Sequence, residues 1–217
     1  MKVFADVVNK ENLVNFGLLH FATEEFVDRV IAKEHFCAHG SDMSEWDELY
    51  EAYEDKYPNA STNKGELRKL LMDWMPLRIN YIVNDIVSEL DYQKTLYRAV
   101  AFTSESLQSL KENGGELAVE QVGVYWSHRA CTNRQRLLPK GKEEQYADVR
   151  LKIDFKKEIV DWYETFLSRM DFLHGDGEME YQLRPDAKIS ILEIQDNTFH
   201  RSKVKFDGFC VNSLAAA

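Results

Sequence analysis

Cysteine is scarce in this chain: three in 217 residues, Cys37, Cys131 and Cys210, an odd number with no Cys-x-x-Cys spacing. That argues against a disulfide framework and reads as free thiols in a reducing compartment. Long apolar runs are missing as well, the longest falling far short of a membrane span. The first residues, Met1 to Glu11, lack the basic-then-apolar build of a signal peptide, so residence in the cytoplasm is the expectation. Positive charge is in deficit: 27 Lys and Arg against 37 Asp and Glu leave a net charge of −10. Such a balance disfavours broad contact with a nucleic-acid backbone and more easily accommodates a basic protein partner. His35, Cys37 and His39 alternate with no distant second pair, which is poor zinc geometry, so no metal is expected. No internal repeat or low-complexity segment is apparent.

What is present is enough for a proper core. With 44% hydrophobic residues the chain can form one domain, or one domain with a subdomain. The first part reads as helices. Thr23 with Glu24 and Glu25 starts an amphipathic run through Phe26, Val27, Val30 and Ile31. A second starts near Ser44 and carries Trp46, Leu49, Tyr50 and Tyr53, ending before Pro58. A third carries Leu67, Leu70, Leu71 and Trp74 and is expected to stop or kink at Pro76, after which Ile79, Ile82, Val83, Ile86, Val87 and Leu90 form another helical stripe.

From about residue 94 the period changes to two. Leu96, Arg98, Val100 and Phe102 share one face of a strand, where a guanidinium is costly unless it meets an anion such as a carboxylate or a phosphate. Thr103 or Ser104 then caps a short helix ended by Gly114 and Gly115. Glu116 to Ser127 is strand-like throughout, and a polar loop containing Arg129, Arg134, Arg136 and Lys140 follows. Val149, Leu151, Ile153 and Phe155 alternate with Arg150, Lys152 and Asp154 as a half-buried strand, and a helix carries Ile159 to Met170. Glu178–Leu183 and Lys188–Ile194, joined by Arg184-Pro185-Asp186, read as a hairpin. Helices and turns both separate the strands, so the class is α+β with an N-terminal helical layer. The expected division is a helical subdomain over 1–93 and a core over 94–214, with Ala215, Ala216 and Ala217 read as a cloning remnant.

Glu178 and Glu180 stand two apart on a strand, so both carboxylates project from one face while Met179, Tyr181 and Leu183 take the other. In a cleft, mutual repulsion pushes the pair toward different pKa values and different roles; on an open strand the same pair is a solvated face. His128 beside Ser127 makes no serine-hydrolase dyad, because neighbours on a strand point to opposite faces.

Taken in chain order, Arg98 on a first strand, Tyr125-Trp126-Ser127 on a second and Gly177-Glu178-Met179-Glu180-Tyr181 opening a later one resemble the arginine, serine, glutamate signature of mono-ADP-ribosyltransferases of the phage and bacterial-toxin kind. The resemblance covers about residues 94–196. In the middle motif, where the family shows Ser-Thr-Ser, this chain has Trp126-Ser127-His128. The resemblance implies a two-sheet β core forming an NAD cleft, with NAD as substrate and a protein arginine as acceptor. It implies that Arg98 binds an NAD phosphate or its adjoining ribose, that Ser127 orients the catalytic glutamate, and that Tyr125 stacks on nicotinamide. Glu180 would stabilise the oxocarbenium-like centre, Glu178 would activate the acceptor, and the loop Met170–Gly177 with Phe172 would contact the target protein. By the same analogy the setting is a phage or bacterial effector in a host bacterial cytoplasm. An NAD glycohydrolase, or a non-catalytic module on the same fold, are the alternatives.

Overall fold

The computed structural model describes residues 8–32, 44–92, 94–128, 146–170, 180–196 and 203–205. In chain order the elements are α1 (Lys10–Phe21), α2 (Glu24–Ile31), α3 (Ser44–Ala52), α4 (Lys64–Tyr92), β1 (Thr95–Thr103), α5 (Ser104–Glu112), β2 (Glu116–Ala118), β3 (Tyr125–Ser127), β4 (Tyr146–Asp154), α6 (Trp162–Met170), β5 (Glu180–Gln182), β6 (Lys188–Asp196) and β7 (Lys203–Lys205). They group into two compact units. One comprises Met1–Tyr92 with Trp162–Gly177, the other Gln93–Asp161 with Glu178–Ala217. The class is α+β, and α6, which the sequence placed with the strands, belongs to the helical unit.

In the helical unit α1 was not foreseen. Its start is set by Asn9, whose side chain accepts from the Asn12 amide at 2.9 Å, one of the amides a helix start leaves without a partner. Thr23 caps α2 in the same way through Phe26 N at 3.2 Å. These short helices are held by aromatic packing: Phe21 meets Phe26 edge-on at 5.0 Å and stacks on Phe166 of α6 at 5.8 Å. All three rings are fully buried, each contributing about 1.5–3 kcal/mol of burial. Helix α4 runs unbroken through Pro76. The proline removes one backbone donor, but the buried stripe Leu70, Leu71, Met75, Ile79, Ile82, Val83 and Ile86 holds both halves to the same core. Glu89 of α4, buried, and Arg169 of α6, half-buried, form a two-pronged ion pair at 2.9 and 3.3 Å. At the start of α4 the Asn59 amides bond Glu66 and hold its carboxyl below the ordinary range; Lys56 and Tyr57 do the same for Asp73.

In the other unit the strands form a single antiparallel ladder in the order β2-β6-β4-β1-β3-β5, with β7 also on β6. One ladder stands where two sheets were expected, because β6 changes partner along its length: Lys188–Ser190 pair with β2 and Ile191–Asp196 with β4. The register shifts between Lys152 and Ile153, so that Lys152 opposes Glu193 while Ile153 opposes Ile191. This irregularity keeps both Ile191 and Ile194 on the buried side.

The expected hairpin does not form. β5 pairs with β3 and β6 with β4, at opposite ends of the ladder order. The turn between them is occupied elsewhere, the Arg184 amide by Ile159 O and the Pro185 and Ala187 carbonyls by Glu120 N and Val119 N. Those last two bonds also interrupt the long strand expected over Glu116–Ser127, which becomes β2, a tight turn at Val119–Gln121 and β3. Gly123, with φ of +92°, completes the break in a conformation that L side chains rarely adopt.

Candidate functional site

Strand register decides which side chains meet. Tyr97 of β1 opposes Ser127 of β3, and Ser127 opposes Glu180 of β5. Directly opposed residues in a sheet share a face, so Ser127 and Glu180 stand together as the motif reading expects. Ser127 is buried and Glu180 half-buried. Tyr125 lies two residues along the same face, opposite Gln182, and 44% of its surface is exposed. Behind them Trp126 and Tyr181 oppose each other on the other face, fully buried, and fix both strands.

Arg98 is not brought onto that face. It follows Tyr97 by one residue and opposes the buried Leu151, so its side chain leaves toward the apolar side. The guanidinium has carbonyl partners there: Nε donates to Val122 O and Nη1 to Tyr125 O. Besides an anion, carbonyl oxygens satisfy a guanidinium, and the break in the Glu116–Ser127 strand supplies two of them. Gly123 is part of the same arrangement, since a Cβ on it would collide with the Arg98 guanidinium. Trp126 Nε1 donates to Gly123 O at 3.0 Å, which closes the turn from the other side. Arg98 is therefore an anchor for the turn that leads into β3. An isolated glycine in a strand-like run was the available signal for such a close approach.

Beyond Tyr97 the same face continues as a line of polar side chains. Lys152 of β4 opposes Tyr97, and Glu193 of β6 opposes Lys152. One row thus runs Glu193, Lys152, Tyr97, Ser127, Glu180 across five strands. Lys152 Nζ lies 3.8 Å from Glu193 Oε2 and 5.9 Å from the Tyr97 ring centroid. Arg150, one pleat along, places its guanidinium carbon 5.8 Å from the same ring and donates to Gln195 Oε1. In the sequence these residues were only the polar side of a half-buried strand.

Glu178 and Phe172 lie outside the described residues, as do Arg129, Arg134, Arg136, Lys140, the three cysteines, His35 and His39. Among the described residues no three His, Cys, Asp or Glu side chains converge as a metal-binding group, and no helix is long and apolar enough to cross a membrane. A shallow depression of about 550 Å³ in the helical unit is lined by Glu24, Glu25, Asp28, Arg29 and Arg68. Its Arg68 is already paired with Glu24 and Asp28 at 2.9 and 3.0 Å, so that surface closes on itself.

No family model, curated protein or solved structure matches the chain. A carboxylate with a hydroxyl opposite it and an exposed aromatic ring one pleat away can steady a positive centre and hold a flat ring over it.

Proposed function

We propose that this protein is an NAD-dependent mono-ADP-ribosyltransferase that transfers ADP-ribose to an arginine of a target protein and releases nicotinamide. The observation that carries the reading is the register of Ser127 opposite Glu180, with Tyr125 exposed on the same face. Two motif positions far apart in sequence become neighbours on strands whose other faces are pinned by Trp126 and Tyr181.

The bond between the nicotinamide nitrogen and the ribose C1′ breaks, and nicotinamide leaves with the electron pair as a neutral ring. A positive charge develops on the ribose, and the Glu180 carboxylate, oriented by the Ser127 hydroxyl, stabilises it. The exposed Tyr125 ring is the stacking surface for nicotinamide. An arginine nitrogen of the target then attacks C1′ and gives up one proton, and Glu178 takes the role of preparing that acceptor. Arg98 acts at one remove, by holding the turn that carries Tyr125 and opens β3.

The test is incubation with NAD labelled in its adenylate part, together with a bacterial lysate, while nicotinamide is measured separately. Wild-type protein is expected to release nicotinamide and label protein. Glu180→Gln is expected to lower both by about a hundredfold or more, the size of a lost transition-state partner. Glu178→Gln should end protein labelling and leave appreciable nicotinamide release, because water needs less orientation than a guanidinium. Free ADP-ribose with no labelled protein would make the chain a glycohydrolase. NAD left intact by the folded wild type would make it a binding module.

A further inference from the structure

We infer that Lys152 and Arg150 form the diphosphate-binding part of this site, so that a dinucleotide lies across the strands along the polar row. The inference rests on the proposed NAD chemistry for the identity of the ligand and on the row's geometry for its placement. Neighbouring strands are spaced about 4.8 Å apart, so the three steps from Glu180 through Ser127 and Tyr97 to Lys152 span about 14 Å. A dinucleotide with its ribose at Glu180 and its length across the strands would bring its diphosphate within reach of the long Lys152 side chain.

Positive charge gathers at one place on this face, around the Tyr97 ring. Two cations, Lys152 and Arg150, lie against the same Tyr97 ring at 5.9 and 5.8 Å, in a chain whose net charge is −10. Glu193 neutralises Lys152 only at arm's length, 3.8 Å, and the Lys152 side chain keeps 30% of its surface exposed. Asp154, exposed and opposite Thr95, bounds the face on its far side. Arg150, which already donates to Gln195 Oε1 and would have to share its fork, suits two phosphate oxygens, while Lys152 offers a point charge. Arg98, which opposes Leu151 on the other face of β1 and donates to Val122 O and Tyr125 O, is not part of this row. Glu193 acts as a competitor, since it holds Lys152 when no anion is present and must yield it when one arrives.

The experiment is titration calorimetry of the full chain with ADP-ribose, inorganic pyrophosphate and nicotinamide as separate probes, on wild type, Lys152→Gln, Arg150→Gln, their double variant and Glu193→Gln. Each cation variant is expected to weaken ADP-ribose binding about tenfold or more and the pair further, with pyrophosphate following the same order. Glu193→Gln is expected to tighten both several-fold, and this keeps the test decisive should loss of a cation unfold the chain. No ADP-ribose binding by wild type, unchanged binding by the folded double variant, or unchanged or weaker binding by Glu193→Gln would each overturn the inference. The underlying reading fails differently: ADP-ribose binding that depends on Lys152, in a protein that releases no nicotinamide from NAD, leaves the phosphate site standing and removes the transferase. A wild-type KM for NAD in the double variant does the reverse.

Discussion

At the scale of single residues, Arg98 and Gly123 form one device. The arginine gives two hydrogen bonds to carbonyls that have no strand neighbour where β1 and β3 part, and the glycine leaves the space the guanidinium fills. Arg98→Leu should destabilise the protein by about 1–3 kcal/mol, because it removes two hydrogen bonds from a charged donor. Gly123→Ala should cost a similar amount, from a φ of +92° and from collision with the guanidinium. In the double variant the collision is gone, so the two losses in urea denaturation should sum to clearly more than the double variant's loss. Strict additivity would show that the two residues do not share the turn. The sequence made Arg98 conspicuous, since a charge in an apolar rhythm is visible without a structure. Its partners were not visible, because a carbonyl is available at every position and only the fold decides which ones lack a strand beside them.

At the scale of elements, the legible parts were those with local causes. Thr103, whose side chain accepts from Ser106 N at 3.1 Å, starts α5 as its position suggests, and the alternation of Val149, Leu151 and Ile153 gives β4 its buried side. The hairpin was misread because Arg-Pro-Asp signals a turn equally well when the strands it joins go to different neighbours. α1 was passed over although Asn9 and the spacing of Leu13, Phe16 and Phe21 were there to be read. In the candidate site, the nearness of Ser127 and Glu180 was implied only by the family resemblance, and both it and the Lys152 row depend on strand register, which no local pattern specifies. Helix packing yields its own test at Gly17, where an added Cβ would stand 2.5 Å from Ile79 Cγ2 and 3.0 Å from Phe166 Cε1. Gly17→Ala gains helix propensity but overpacks α1 against α4 and α6, and a net loss of about 1–3 kcal/mol is expected in thermal or urea unfolding. A stabilised variant would mean that the helices part at no cost.

At the scale of the whole molecule, the chain passes from the helical unit to the strand unit after Tyr92, back at Trp162, and out again after Gly177. The helical unit is joined by contacts that include Glu89 with Arg169 and Phe21 with Phe166, and the strand unit is completed only when β5 returns to β3. Ser127 and Glu180 are more than fifty positions apart, with α6 between them in the chain. Bringing them together carries the entropy of closing a long loop, and contacts of that range form more slowly than helices do. On refolding from urea, far-ultraviolet circular dichroism should recover ahead of the proposed nicotinamide release from NAD, the delay growing when Phe166→Ala weakens the docking of α6. Simultaneous recovery in wild type and variant would deny this order. If the chain consumes NAD as proposed, the long return to β3 acts as a timer: Glu180 cannot stand opposite Ser127, and the nascent chain cannot attack its own cell's coenzyme, until β5 has left the ribosome.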